Sequence, residues 1–237
     1  IDRNLIYSQE PNPDDLRNNG DTESKDEKNL RRLRPEGIMT ADEKYGLTPP
    51  ANLNNIKITN NVIIGCRRGI THYGQAQGSG LKNVLIANNT IVLPDAQGEG
   101  EDFIGINVPY NNGNNSGTVY TNNIVFASHP STYLLNVETA MNGDFHGVTF
   151  QNNLWFHKNS KRPFHFGPKF LNIYDTDFAG WQKKCSAGNY CSAELYADPM
   201  LNDVSGYSIE SASLKPNSPA IKAGLSLGAV GLMQKDE

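Results

Sequence analysis

Short apolar runs broken by a pair of asparagines recur four times through the middle of this chain. They occupy residues 55–64, 83–92, 118–126 and 147–156, and one copy reads Asn83-Val-Leu-Ile-Ala-Asn-Asn-Thr-Ile-Val92. The pairs begin at Asn60, Asn88, Asn122 and Asn152, so the steps are 28, 34 and 30 residues. A third apolar segment follows each copy, as in Gly69-Ile70-Thr71-His72-Tyr73 and Ile104-Gly105-Ile106-Asn107-Val108. These runs have strand length and strand composition, and they are too closely joined to be crossover units with helices. Self-similarity at this period predicts a solenoid, in which each turn adds one strand to each of several parallel sheets.

The asparagine pairs fit the bends of such a coil. A sharp bend between strands needs a residue that tolerates left-handed backbone angles, and Asn does. Stacking places each bend above the last, so Asn60, Asn88, Asn122 and Asn152 are expected to form a hydrogen-bonded ladder. The third segments align with Ile38, Ile70, Ile106, Leu135 and Phe164 turned inward. Alternation then puts Met39, Thr71, Asn107, Asn136 and His165 in one outward row, with Tyr73 and Glu138 also outward. A one-residue slip would exchange the two faces.

The pattern predicts an all-β fold, a right-handed single-stranded parallel β-helix of about five stacked coils with an irregular C-terminal cap. It resembles the pectate-lyase-like superfamily, whose coils carry Asn ladders at this bend. The resemblance covers roughly residues 1–232, and it speaks to fold far more than to activity, because one fold hosts many chemistries.

A single domain over 1–237 is expected, with a polar excursion at 8–36, stacked coils at 37–171 and a capping segment at 172–237. Residues 8–36 read as a solvated loop with at best a short helix around 25–33. Arg3-Asn4-Leu5-Ile6-Tyr7 matches the second half of the repeat with nothing before it to complete the coil. Solenoids need capped ends, so missing upstream coils or a neighbouring subunit are expected at this end, making the chain the C-terminal part of a longer one. Beyond about residue 172 the period breaks. Residues 175–183 read as a short amphipathic helix carrying Phe178 and Trp181. The Asp198-Pro199, Ser218-Pro219-Ala220-Ile221 and Gly228-Ala229 succession resembles the closing segment of many secreted bacterial β-helix proteins.

Charge is slightly acidic, 21 Lys+Arg against 25 Asp+Glu, which disfavours a nucleic-acid binder. No apolar stretch is long enough to span a membrane. Cys185 and Cys191 flank a Gly- and Asn-containing loop and read as a disulfide, implying an oxidising compartment; two free thiols are the alternative. Cys66 follows Val62-Ile63-Ile64 and reads as a buried thiol. Of two glycosylation sequons, that at Asn88 is expected to be buried in the ladder and that at Asn114 to lie in a polar loop.

Candidate chemistry is sparse. The clustered aspartates of polygalacturonase-like hydrolases of this fold are absent, which disfavours a two-carboxylate hydrolase. A polysaccharide lyase needs a cation for the uronate carboxylate, a base for the adjacent proton and an acid for the leaving oxygen. Arg68, His72, Tyr73, His165 and Lys169 are the catalytic candidates, and Arg67, Asn107, Asn136 and Glu138 the substrate-binding ones. The plainer alternatives are solvated turn arginines, packed histidines and a loop lysine. Asp95, Glu99, Glu101 and Asp102 crowd a Gly-rich loop and offer the oxygens that Ca2+ takes, without the spacing of a known calcium loop. Tyr73, Tyr110, Tyr133, Trp155 and Trp181 fit either sugar stacking or packing between coils.

The expectation is thus a secreted, extracellular or periplasmic protein that binds or acts on an acidic polysaccharide, as a lyase or epimerase where it is catalytic. The alternative is a non-catalytic structural or adhesive surface protein assembling through β-helix ends.

Overall fold

The computed structural model describes residues 1–8, 36–42, 53–74, 80–94, 103–108, 115–138, 145, 147–167 and 174–225. The described chain is mostly strand, in sheets whose neighbouring strands come from successive sequence repeats. One sheet holds β4 (Lys57–Thr59), β8 (Leu85–Ala87), β11 (Thr118–Thr121), β14 (Val148–Gln151) and β18 (Cys191–Ser192). A second holds β1 (Leu5–Tyr7), β5 (Val62–Ile64), β9 (Thr90–Leu93), β12 (Ile124–Ala127), β15 (Leu154–His157) and β19 (Leu195–Tyr196). A third holds β2 (Ile38–Asp42), β6 (Arg68–Gly74), β10 (Ile104–Val108), β13 (Tyr133–Val137), β16 (Phe164–His165) and β17 (Asp175–Thr176). The pairs are parallel except β16–β17, which is antiparallel. Two short strands, β3 (Leu53–Asn54) and β7 (Leu81–Lys82), pair separately.

The bend between the first and second sheets falls where the asparagine pairs fall. Asn60, Asn88, Asn122 and Asn152 all have left-handed φ, between 52° and 58°. The buried ladder, however, is built by the second asparagine of each pair. Asn61, Asn89, Asn123 and Asn153 are fully buried, while the first members are half-buried. Asn61 Nδ2 donates to Asn89 Oδ1, Asn89 to Asn123 and Asn123 to Asn153, each at 2.9 Å. The same acceptor oxygens take the backbone N–H of the preceding rung. The second Nδ2 proton of Asn89, Asn123 and Asn153 goes to the carbonyls of Ile58, Ile86 and Tyr120. Every polar atom of these buried amides is thereby used. The left-handed residue turns the chain, and the residue after it points into the turn. Asn88 is accordingly not sealed in the ladder; Asn89 is.

Two further rungs extend the ladder. Asn4 donates to Asn61 Oδ1 from both its backbone N and its Nδ2, and Leu5 pairs with Val62. At the other end Ala193 takes the bend, with φ 55°, and Glu194 takes the asparagine place.

The second sheet is apolar on both faces. Ile63, Ile91, Val125 and Trp155 belong to the main core, together with Ile38, Ile70, Ile106, Leu135 and Phe164 of the third sheet. Their strand neighbours Val62, Ile64, Val92 and Phe126 pack on Leu201 and Ala212, and Ile124 and Leu154 on Ala220 and Leu225. Burial on both faces explains why β5, β9 and β12 read as continuous apolar runs. The first sheet alternates, with Val119 and Thr149 only partly covered between buried neighbours. The described C-terminal segment therefore does two things. Helix α1 (Phe178–Ala187) places Trp181 against Phe150, Phe164 and Phe166 at centroid distances of 5.2, 5.7 and 5.6 Å, closing the aromatic end of the core. The chain beyond β19, with short helices α2 (Ile209–Ala212) and α3 (Pro219–Lys222), lies over the outer face of the second sheet. An end cap alone was expected. Cys185 of α1 is joined to Cys191 of β18, and Cys66 is buried and outside any disulfide.

Third-sheet register follows the sequence alignment. Ile38, Ile70, Ile106, Leu135 and Phe164 are partners, and so are Met39, Thr71, Asn107, Asn136 and His165. Gly37, Gly69 and Gly105 each precede the inward isoleucine of β2, β6 and β10 because the stack is tight there. A Cβ on Gly69 would lie 2.5 Å from Ile91 Cγ2 and 2.6 Å from the Gly105 carbonyl oxygen.

Replacing Asn123 with Ala leaves buried amide and carbonyl groups without partners and should cost about 3 kcal/mol, whereas Asn122→Gly keeps the left-handed bend and should stay within about 1 kcal/mol. Chemical denaturation of the two variants measures the difference; equal losses would place the ladder on the wrong residue. Gly69→Ala should destabilise by about 1–3 kcal/mol through overpacking, read in the same assay.

Candidate functional site

The row on the outer face of the third sheet is polar and continuous, as its sequence implies. Asn107 Nδ2 donates to Thr71 Oγ1 at 2.9 Å, and Asn136 Nδ2 to Asn107 Oδ1 at 2.8 Å. This line runs opposite in polarity to the main ladder, with donors facing earlier strands. Asn136 also approaches Glu138 Oε1 at 3.4 Å. The row differs from the open groove expected of it: Thr71, Asn107, Asn136 and His165 are only 2–4% exposed, and Met39 alone is open at 49%. Asn136 Oδ1 is buried and accepts no hydrogen bond.

At the C-terminal end of the row stands a hydrogen-bonded His–Asp pair. His165 Nδ1 lies 2.6 Å from Asp175 Oδ1. A carboxylate accepts only, so Nδ1 carries the proton and the ring is held in one orientation. Asp175 arrives on β17, which folds back antiparallel onto β16. Tyr133, on β13, directs its hydroxyl to Asp175 Oδ2 at 3.4 Å and sets its ring 5.1 Å from the His165 ring. Burial raises Tyr133 to about 12, and the Asp175 charge adds to the rise, so the phenol keeps its proton. Arg162 donates from Nη2 to the Asp175 carbonyl. The chemical capacity here is that of an oriented imidazole beside a phenol.

The other candidates are placed differently. Arg68 Nη1 lies 3.0 Å from Glu36 Oε1 and Arg67 Nε 3.8 Å from the same oxygen, so both guanidinium groups already face a carboxylate. Arg68 starts β6, three strands from β16 and three residues out of register with His165; at about 4.8 Å per strand and about 3.3 Å per residue it stands on the order of 17 Å from His165. His72 is on the core side of β6, in the row of Thr40, and is 1% exposed. Its Nδ1 donates to the Thr40 carbonyl at 3.0 Å. The fold thus separates His72 and the arginines from His165. Lys169 and the acidic set Asp95, Glu99, Glu101 and Asp102 lie outside the described residues, as do Tyr110, the Asn114 sequon and the side chain of Tyr73. Among the described residues no group of three metal-ligating side chains converges. Trp155 and Trp181 are fully buried and serve packing.

Sequence reasoning missed three participants. Asp175 sits where the repeat breaks, and only the reversed strand brings it to His165. Glu36 meets Arg68 across 32 residues. His157 reads as one more polar strand end, yet its Nδ1 accepts the N–H of Asn159 and Ser160 while Nε2 donates to the His129 carbonyl. That ring organises the turn from β15 toward β16. No described helix is long and apolar enough to cross a membrane. Comparison with family models, with curated proteins and with solved structures found no match.

Proposed function

We propose that this chain is an extracellular right-handed parallel β-helix of about five stacked coils that binds an acidic polysaccharide along its third sheet. What supports the fold is the strict succession of repeats in three parallel sheets with an asparagine at each buried bend. What carries the function is the register-matched polar line from Thr71 to His165, ended by the His165–Asp175 pair. The side chains of that line stand one per strand step of about 4.8 Å; they are 2–4% exposed in this structure, so a linear polymer lying across the strands reaches them where that cover opens. The disulfide favours an oxidising, extracellular setting.

The chemistry open to this site is lyase or epimerase chemistry rather than hydrolysis. His165 held by Asp175 is the group suited to accept the proton beside a uronate carboxylate. In β-elimination the C–H electron pair becomes the new C=C bond, the glycosidic C–O bond breaks, and the leaving oxygen takes a proton; Tyr133 is the nearest phenol to supply it. Arg68 lies too far to neutralise the same carboxylate and is assigned to a sugar several units along the polymer, where the ligand displaces Glu36.

A second reading has one observation in its favour. Met39 of β2, at the edge of the third sheet, is 49% exposed. On this reading the chain is a structural or adhesive surface protein that assembles through its coil ends, which light scattering distinguishes as a polymer rather than a monomer.

Titration calorimetry with oligouronates should give binding that weakens with added salt, and Arg68→Ala should lower affinity about tenfold. Incubation with a uronate polymer should raise ultraviolet absorbance from the unsaturated product, and His165→Ala should abolish the rise while leaving binding intact. Absence of binding to acidic and neutral glycans alike would overturn the proposal and leave the structural reading.

A further inference from the structure

We propose that Glu194 is a pH-sensitive latch at the C-terminal end of the asparagine ladder, a buried carboxyl that takes three N–H donors with no cation beside it. The ladder gives the position its meaning. Each asparagine rung accepts two N–H groups from the rung before and donates two onward, so the row is directional. The last rung needs acceptors and no donor. Glu194 Oε1 accepts from Asn153 N at 3.2 Å and from Asn153 Nδ2 at 3.1 Å, and Oε2 accepts from Trp155 Nε1 at 2.5 Å. A glutamine here would turn its NH2 toward either the indole N–H or the Asn153 donors. A carboxyl group is the side chain that presents two oxygens.

The same group is 6% exposed and has no counter-charge. Asn153 and Trp155 are its full set of polar neighbours. No Lys, Arg or His pairs with it, and no second acid faces it, from β14, β15, β18, β19 or α1 among the described residues. Tyr196, two residues along its own strand, spends its hydroxyl on the main chain of His157. Burial without a cation opposes the charged form, and three N–H donors support it. Burial wins, and the carboxyl is raised to about 7. The folded value lies above the unfolded one, so the contribution to stability is fully present below the unfolded carboxylate value, about 4.3, and is lost as pH rises through about 7. The rung being latched carries β18 and β19 and, through Cys185–Cys191, the helix that closes the aromatic core.

The chain has two tryptophans, and they make the test self-controlled. Trp155 donates to Glu194, whereas the buried Trp181 Nε1 has no hydrogen-bond partner. Indole N–H signals of the 15N-labelled protein are followed between about pH 5.5 and 8.5. The Trp155 signal should move upfield on acidification with a midpoint near 7, because a neutral acid is the weaker acceptor, and the Trp181 signal should stay still. In Glu194→Gln the titration should vanish, and the loss of thermal stability between the two pH limits should shrink. A Trp155 signal that is flat across the range, or that titrates unchanged in Glu194→Gln, overturns the latch. The wild-type spectrum alone decides the matter where the variant does not fold.

Discussion

The structure depends on buried amides that hydrogen-bond to the rungs above and below them and to the carbonyls of the neighbouring strand. An asparagine side chain in a dry turn is costly unless all its polar atoms are matched. Here Asn61, Asn89, Asn123 and Asn153 match them by standing in register, one strand step apart. A rung displaced by one residue would leave donors and acceptors unpaired in several neighbours at once. The ladder therefore sets the register of the first two sheets, and through the short turn at Gly65–Arg67 that of the third. The apolar core alone would set it less sharply, because Ile, Val and Leu substitute for one another with little loss.

A second constraint comes from the outer face of the second sheet. Val62, Ile64, Val92 and Phe126 would form an exposed apolar patch if that face met water. The chain beyond β19 covers it with Leu201, Ala212 and Leu214. One C-terminal segment thus serves both the aromatic end of the core, through Trp181, and a long side of the stack. The disulfide from α1 to β18 ties the first of these roles to the last ladder rung.

The polar row of the third sheet has the opposite character. Its side chains bond along the sheet, as the main ladder does, but among the described residues Asn136 Oδ1 has no donor, and the His165–Asp175 pair stands beside it in register. His72 shows the contrast. It is of the right residue type, one position from the row, and its ring is spent on a core-side carbonyl.

Local chemistry explains what could be read along the chain. The Asn pairs marked the bends because few residues tolerate φ near 55°, and the Gly-Ile steps marked the third sheet and its register. The short first run, Arg3-Asn4-Leu5, was legible as a rung for the same reason. The sequence did not say which asparagine of each pair is buried, because that depends on how the chain leaves the bend. Ser192-Ala193-Glu194 went unrecognised as a rung, since Ala at the bend and Glu in the ladder work only against Asn153 and Trp155 already in place. Nor did alternation show that the second sheet is covered on both sides, although its unbroken apolar runs carried the signal. His165 was visible as a polar position, but its partner Asp175 was decided by a strand reversal, and the separation of Arg68, on the order of 17 Å, by strand count and register. Period and turn chemistry are local and are written in the residues themselves. Which long-range partner completes a buried polar group is settled only when the strands stack.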